Sequence, residues 1–316
     1  MTPAIDARQL ARRFGDQQAV AGVDLSIAAG EIYGFLGPNG AGKSTTVRML
    51  TTLLAPTGGS ARVAGFDVHR EADRVRLAIG VALQEAALDG KQTGRELLDL
   101  QGRLYGLSKV ERSRRVAELL ELVDIGDAID RRINTYSGGM KRRLDLAAAL
   151  VHQPQVLFLD EPTTGLDPTS RAAVWAEVRY LNQQLGMTIF LTTQYLEEAD
   201  ALAHRVGIIA HGRLVGEGTP TELKRSIGSD VIVAKVAAAH AERVAAVAGA
   251  LAEVDRVETS GDEVVMSVAH GAAAISPVAV ALAEAAVPVE GLTLRTPTLD
   301  DVFLHLTGGR LQEDAT

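Results

Sequence analysis

Short apolar runs alternate with segments of helical period through the first two-thirds of the chain. Residues 5–10 and 20–27 read as neighbouring strands around the turn Phe14-Gly15-Asp16. Residues 31–36 (Glu-Ile-Tyr-Gly-Phe-Leu) form a short buried strand, and residues 45–50 open a helix. Pro56-Thr57-Gly58-Gly59-Ser60 is a turn before a strand at 61–64, and a charged helix at about 71–77 precedes the apolar run 79–83, which ends at Gln84. From 94 to 129 the period turns helical, with Leu97, Leu100, Leu104 and Leu107, then Val116, Leu119, Leu120 and Val123, at three- and four-residue steps. Within it, Arg112-Ser113-Arg114-Arg115 reads as a solvated face, and Tyr105 as core or as a partner-facing ring. A further helix follows Tyr136. Residues 156–161 form a buried strand, 171–185 a helix and 188–193 a strand ending at Gln194.

The last third differs. A turn at 216–220 and a short helix at 221–227 lead to strand 231–236, an Ala-rich helix 241–251, a hairpin around Ser260-Gly261-Asp262, a helix 277–286 and a strand 291–294. A final helix starts at Thr298 with Asp301 as its capping acid, and the residues after Gly308 read as a tail. That order predicts a small α+β domain at 227–308 beside an α/β domain at 1–226, whose helical insert spans about 85–150. His240, His270 and His305 have no metal spacing, and a packing or dimer-stabilising role for the small domain is a better fit than a ligand sensor.

Composition narrows the class. The 316 residues contain no cysteine, which excludes disulfides, zinc–thiolate sites and thiol catalysis. No apolar run reaches about 18 residues, since the nearest, 272–289, is broken by Pro277, Glu284 and Pro288. The chain is therefore not expected to cross a membrane by itself. Its net charge of −8 lies in residues 227–316, with 5 basic against 13 acidic side chains, while residues 1–226 carry 27 of each. Nucleic acid is thus an unsuitable main partner.

The chemistry centres on Gly37-Pro38-Asn39-Gly40-Ala41-Gly42-Lys43-Ser44-Thr45, a G-x-x-x-x-G-K-[ST] loop between a strand and a helix. Its glycines let successive amides converge on oxyanions, Lys43 supplies a mobile charge for β- and γ-phosphates, and the Ser44 hydroxyl suits Mg²⁺. Asp160 and Glu161 end a buried strand, where paired acids are costly without a task. Asp160 fits Mg²⁺ ligation, and Glu161, on the opposite face by strand alternation, fits polarisation of an attacking water. Ser137-Gly138-Gly139 ahead of a helix is either an ordinary serine cap or a second anion site, surplus for one nucleotide unless it serves a neighbour's. Phe14 is equally a core residue or a stacking surface for adenine. Gln84 and Gln194 are strand-end amides.

In that order these motifs resemble the ATP-binding subunits of ABC transporters: phosphate loop, Gln84 of a Q-loop, the Ser137-Gly138-Gly139 signature, Asp160-Glu161, Leu166-Asp167 of a D-loop and a switch position at Gln194. Thr192-Thr193-Gln194-Tyr195-Leu196-Glu197-Glu198-Ala199-Asp200 and Pro297-Thr298-Leu299-Asp300-Asp301-Val302-Phe303 are similar to the daunorubicin-resistance type of exporter ATPase. The resemblance implies that Phe14 stacks on adenine, that Lys43, Ser44, Gln84 and Asp160 hold phosphates and Mg²⁺, and that Glu161 is the general base. It further implies that Ser137, Gly138 and Gly139 close on the γ-phosphate held by a second copy in a head-to-tail pair, and that Gln84 couples the site to a separate membrane permease. The implied setting is the cytoplasmic face of a bacterial membrane, and the implied work is export of a lipophilic drug, antibiotic or lipid. A soluble or regulatory ATPase is the alternative. The sequence departs from the family pattern at Met140, where the signature usually ends in glutamine, and at Gln194, where the switch is usually histidine. Glutamine can hydrogen-bond a phosphate but cannot carry charge.

Overall fold

The computed structural model describes residues 2–82, 88–123 and 125–307. Gln84 and the tail after Gly308 lie outside the described residues. The chain divides into two compact units, one ending at Pro220 and the other starting at Thr221, so the division falls ahead of the helix near 221–227 rather than behind it.

The first unit runs β1 (Ile5–Phe14), β2 (Gln17–Ile27), β3 (Ile32–Leu36), α1 (Lys43–Leu50), β4 (Gly58–Val63), β5 (Phe66–Asp67), α2 (Ala72–Ala78), β6 (Ile79–Ala82), α3 (Gly94–Leu104) and α4 (Lys109–Val123). It continues with α5 (Gly138–Leu150), β7 (Val156–Asp160), α6 (Pro168–Leu185), β8 (Thr188–Thr193), α7 (Leu196–Leu202), β9 (Arg205–Ala210) and β10 (Arg213–Gly218). Two sheets result. One is antiparallel in the order β2-β1-β4-β5. The other runs β10-β9-β3-β8-β7-β6, parallel except for β10 at its edge.

The apolar runs of β3, β7 and β8 are continuous because both faces of that sheet are covered. Leu157, Leu159, Ile189 and Leu191 enter a core shared with the helices from α3 to α6. Their strand neighbours Val156, Phe158 and Phe190 enter a second core with β1, β2, β4 and α1. Phe190 is the hub of the second core, with ring centroids 5.4 Å from Phe35, 5.6 Å from Phe158 and 5.8 Å from Tyr33.

Several expectations are corrected. Gly58–Ser60 and Gly216–Gly218, read as turns from their glycines, belong to β4 and β10 through pairing with β1 and β9. Arg112 and Arg115 are not solvated. Arg112 donates to Asp99 at 2.6 Å and to the Leu107 carbonyl at 2.7 Å, and Arg115 to the carbonyls of Leu150 at 2.8 Å and Val151 at 3.1 Å. Of the three arginines only Arg114 is largely exposed. Tyr105 is half-buried and stacks on His152, with centroids 3.6 Å apart and an interplanar angle of 5°.

The second unit contains α8 (Pro220–Ile227, of which Pro220 belongs to the first unit), β11 (Asp230–Lys235), α9 (Ala241–Gly249), β12 (Val254–Ser260), β13 (Glu263–Val268), α10 (Gly271–Glu284), β14 (Gly291–Arg295) and α11 (Leu299–Thr307). Its antiparallel sheet runs β12-β13-β11-β14 and carries a core of its own with α9 and α10. The helix expected to begin at Pro277 starts at Gly271, leaving Pro277 in its interior. Thr298 and Asp301 do cap α11, the Thr298 amide donating to the Asp301 carboxylate at 2.9 Å and the Asp301 amide to the Thr298 hydroxyl at 3.2 Å.

Candidate functional site

The phosphate-loop sequence folds as a turn between β3 and α1. A side chain at Gly37 would place Cβ 2.4 Å from the Ile209 carbonyl oxygen, and one at Gly42 would sit 2.6 Å from that of Ala19. Gly42 also has φ 108, a conformation side chains resist, and it caps α1 without a side-chain hydrogen bond. The loop is thereby pressed against β2 and β9, and the first turn of α1 keeps its amides unclaimed by a capping side chain.

Lys43 is 4% exposed. Its Nζ donates to the Gly37 carbonyl at 2.7 Å and lies 3.5 Å from Glu161 Oε1. Burial lowers its pKa from the ordinary lysine value, against the pull of Glu161 and Asp160. Asp160 accepts from the Thr192 hydroxyl and lies 3.5 Å from the Ser44 hydroxyl. Strand alternation does not continue through Glu161, which falls just past the end of β7. Its φ of 49 is left-handed, and its amide donates to the Thr192 carbonyl at 3.0 Å and to the Thr192 hydroxyl at 3.1 Å. The turn brings both acids to the start of α1, Asp160 beside Ser44 and Glu161 beside Lys43.

A cavity of about 700 Å³ opens over this cluster, and Phe14, Pro38, Asn39, Gly40, Gly42, Lys43, Ser44, Thr45, Glu161 and Gln194 line it. Gly37 and Ala41 of the loop are buried and do not line the cavity. Phe14 is 46% exposed, not core, and the Arg12 guanidinium lies 4.5 Å from its ring centroid.

Ser137, Gly138, Gly139 and Asp167 are absent from that cavity. Ser137 caps α5, accepting from the Met140 amide at 3.3 Å, and Ser137 and Gly138 are exposed. Asp167 caps α6, accepting from the Thr169 and Ser170 amides at 3.0 Å and from the Ser170 hydroxyl at 2.6 Å. A Cβ at Gly139 would sit 3.4 Å from that hydroxyl, so the two caps share one corner of the surface.

Sequence reasoning passed over Glu198, which is fully buried and accepts from the Thr163 hydroxyl and the Trp175 indole, both at 2.9 Å. Burial raises its pKa from the usual carboxylate range. It ties the loop after Glu161 to α6 and α7. The available signals were its place in the Thr192–Asp200 stretch and its four-residue spacing from the apolar Leu202. Arg142 was also missed, since the sequence places it only in the helix that follows Tyr136.

The fit to a nucleotide is good: a loop in which Gly37 and Gly42 leave no room for Cβ, a buried ammonium and two hard oxygen donors. Among the described residues no three acids or histidines cluster as a metal cage. Ser44 and Asp160 alone suit an ion that keeps its water and phosphate oxygens, as Mg²⁺ does.

A phosphate loop opening a helix, beside a strand that ends in one acid and is followed at once by a second, defines a P-loop nucleoside triphosphatase. Comparison with known proteins narrows the class. The ABC transporter family matches residues 20–164, and the C-terminal domain of DrrA1-3-like ATP-binding proteins matches residues 218–307. The daunorubicin resistance ATP-binding protein DrrA3 of Streptomyces coeruleorubidus is 50% identical over 299 residues, covering 94% of this chain and 93% of that protein. The daunorubicin/doxorubicin resistance ATP-binding protein DrrA of Streptomyces peucetius is 47% identical, covering 100% and 96%. A solved ATP-binding subunit of an ABC transporter matches with TM-score 0.64 and 26% identity, over 71% of this chain and 92% of that one. The chain belongs to the ABC transporter ATP-binding subunits, in the group of the daunorubicin-resistance proteins. Its activity is that of the family, ATP binding and hydrolysis, and the fold read from its motifs holds.

Proposed function

We propose that the chain hydrolyses ATP in composite sites formed with a second copy, and drives a separate membrane permease that exports a lipophilic drug, antibiotic or lipid. Adenine stacks on Phe14, the amides of residues 37–45 and the Lys43 ammonium take the phosphates, and Ser44, Asp160 and Gln84 are the candidates to hold Mg²⁺. That ion neutralises charge on the phosphates when bound. On ATP binding, Lys43 exchanges its pairing with Glu161 for the phosphates. The released carboxylate accepts hydrogen bonds from a water aimed at the γ-phosphorus, while the Gln194 amide steadies the γ-phosphate. Ser137, Gly138 and Gly139 of the second copy, with its Asp167, complete the site.

The observation that carries this reading is the split of the motifs. Lys43, Glu161 and Gln194 line one cavity, whereas Ser137 and Gly138 face outward on a different corner. An anion-binding helix start that its own chain does not use is what a reciprocal pair requires. The two departures leave binding intact, since Met140 keeps its backbone amide in the cap and Gln194 keeps a donor. No helix among the described residues is long and apolar enough to cross a membrane.

The test is ATP turnover of the purified chain against protein concentration. Specific activity is expected to rise with concentration and to vanish in K43A. Q194H separates the roles of the switch residue: near-zero turnover restored by histidine would assign the chain to slow, regulated hydrolysis instead. E161Q is expected to lower turnover by about 10²–10⁴-fold with ATP affinity retained. Full activity in E161Q would remove Glu161 from the base role.

A further inference from the structure

Arg142 lies in the second turn of α5, the helix capped by Ser137. Its side chain is 12% exposed. Nε donates to the Pro162 carbonyl at 3.0 Å, Nη2 to the Asp160 carbonyl at 3.3 Å, and Nη1 lies 3.5 Å from Asp145. Pro162 and Asp160 are the residues on either side of Glu161. One guanidinium therefore clasps the main chain both before and after the proposed base.

That clasp meets a backbone under strain. Glu161 has φ 49, a left-handed conformation that costs a non-glycine residue about 1–3 kcal/mol and persists only where its surroundings impose it. From one side, its amide is held by Thr192 of β8. From the other, its flanking carbonyls are held by Arg142. Charge-assisted bonds are short in reach and directional, so a shift of the start of α5 must move these carbonyls or break the bonds.

We propose that Arg142 is a positioning residue: it fastens the backbone of Glu161 to α5, so that the base is placed according to the position of the Ser137 end of that helix. The inference rests on the reading of Glu161 as base and of residues 137–139 as closing on a second copy's nucleotide. Since those two elements serve different nucleotides, Arg142 ties one composite site to the other through a single chain. A guanidinium that merely filled buried acceptors would stabilise the fold without setting the rate.

The test compares R142A, R142Q and R142K in the full chain, at a protein concentration where wild-type specific activity has levelled. R142A and R142Q are expected to lose tenfold or more in kcat, about 1.4 kcal/mol of barrier, with KM for ATP within about twofold of wild type. R142K is expected to recover part of the loss, because an ammonium can serve one of the two carbonyls. R142A and R142Q are expected to melt lower, since they strand buried acceptors and Asp145, while R142K melts close to wild type. The proposal is overturned if kcat of R142A stays within about twofold, or if in all three variants kcat and melting temperature fall and KM rises together. Failure of the underlying reading shows elsewhere: wild-type specific activity independent of concentration and indifferent to S137A would dismiss the pair, and an active E161Q would dismiss the base.

Discussion

Two charged residues in the core of the first unit carry more than their exposed counterparts. Asp145 faces Arg142 from the next turn of α5, and burial pushes its pKa up to about 6, from an ordinary value near 3.8, despite the guanidinium. Between those values the folded chain holds a proton that the unfolded chain has released, so stability falls as pH rises from about 4 to about 6 and is level above. Asparagine in its place removes that slope. Urea denaturation of D145N beside wild type is expected to show the stability gap moving in the variant's favour across that pH window, and a gap that ignores pH would mean Asp145 ionises freely. Lys43 illustrates the same physics with opposite sign, since burial depresses its pKa and only the neighbouring acids oppose it. The phosphate loop, the acids and the signature could be read in the sequence because each is a short run whose chemistry depends on adjacent residues. Arg142 and Glu198 could not, because their partners, Asp160, Pro162, Thr163 and Trp175, become neighbours only after the sheet and helices assemble.

The elements best anticipated were those whose pattern is internal. β7 and β8 are buried throughout because both faces are covered. α3 forms within the predicted helical stretch and opens on a Thr93–Glu96 capping box, although Leu100 and Leu104 of its leucine period are exposed. Elements that depend on a remote partner were missed or misjudged. β9 and β10 were not recognised, and the glycines of β10 signalled a turn although pairing with β9 holds them extended. Arg112 and Arg115 looked like a solvated run because sequence alone does not reveal Asp99 and the Leu107 carbonyl beside Arg112, or the carbonyls at the end of α5 beside Arg115. α10 was misjudged for a different reason. Proline usually marks a helix start, yet six helical residues precede Pro277, and at that position it leaves the Ala273 carbonyl without its i+4 donor. P277A is accordingly expected to stabilise the second unit by about 1–3 kcal/mol, read as a higher midpoint in thermal melting. An unchanged or lower midpoint would mean the ring's packing outweighs the missing donor.

At the scale of the whole molecule, the cores of the two units have no residue in common. Calorimetry is expected to resolve two transitions, of which only that of the first unit rises on adding Mg²⁺ and ATP, by about 2.7 kcal/mol at a hundred times the dissociation constant. A single transition that moves as one would mean the units melt together. The acidic excess in residues 227–316 leaves the ATP-binding part with no net formal charge, so the second unit supplies most of the chain's mutual repulsion in solution. Independent cores also have a hereditary consequence. A lineage can recombine at the junction near Pro220, keeping an old motor and acquiring a new companion module, without repacking either interior. Alleles mapping to the second unit that abolish export while the extracted protein still consumes ATP would show what that module was retained to do.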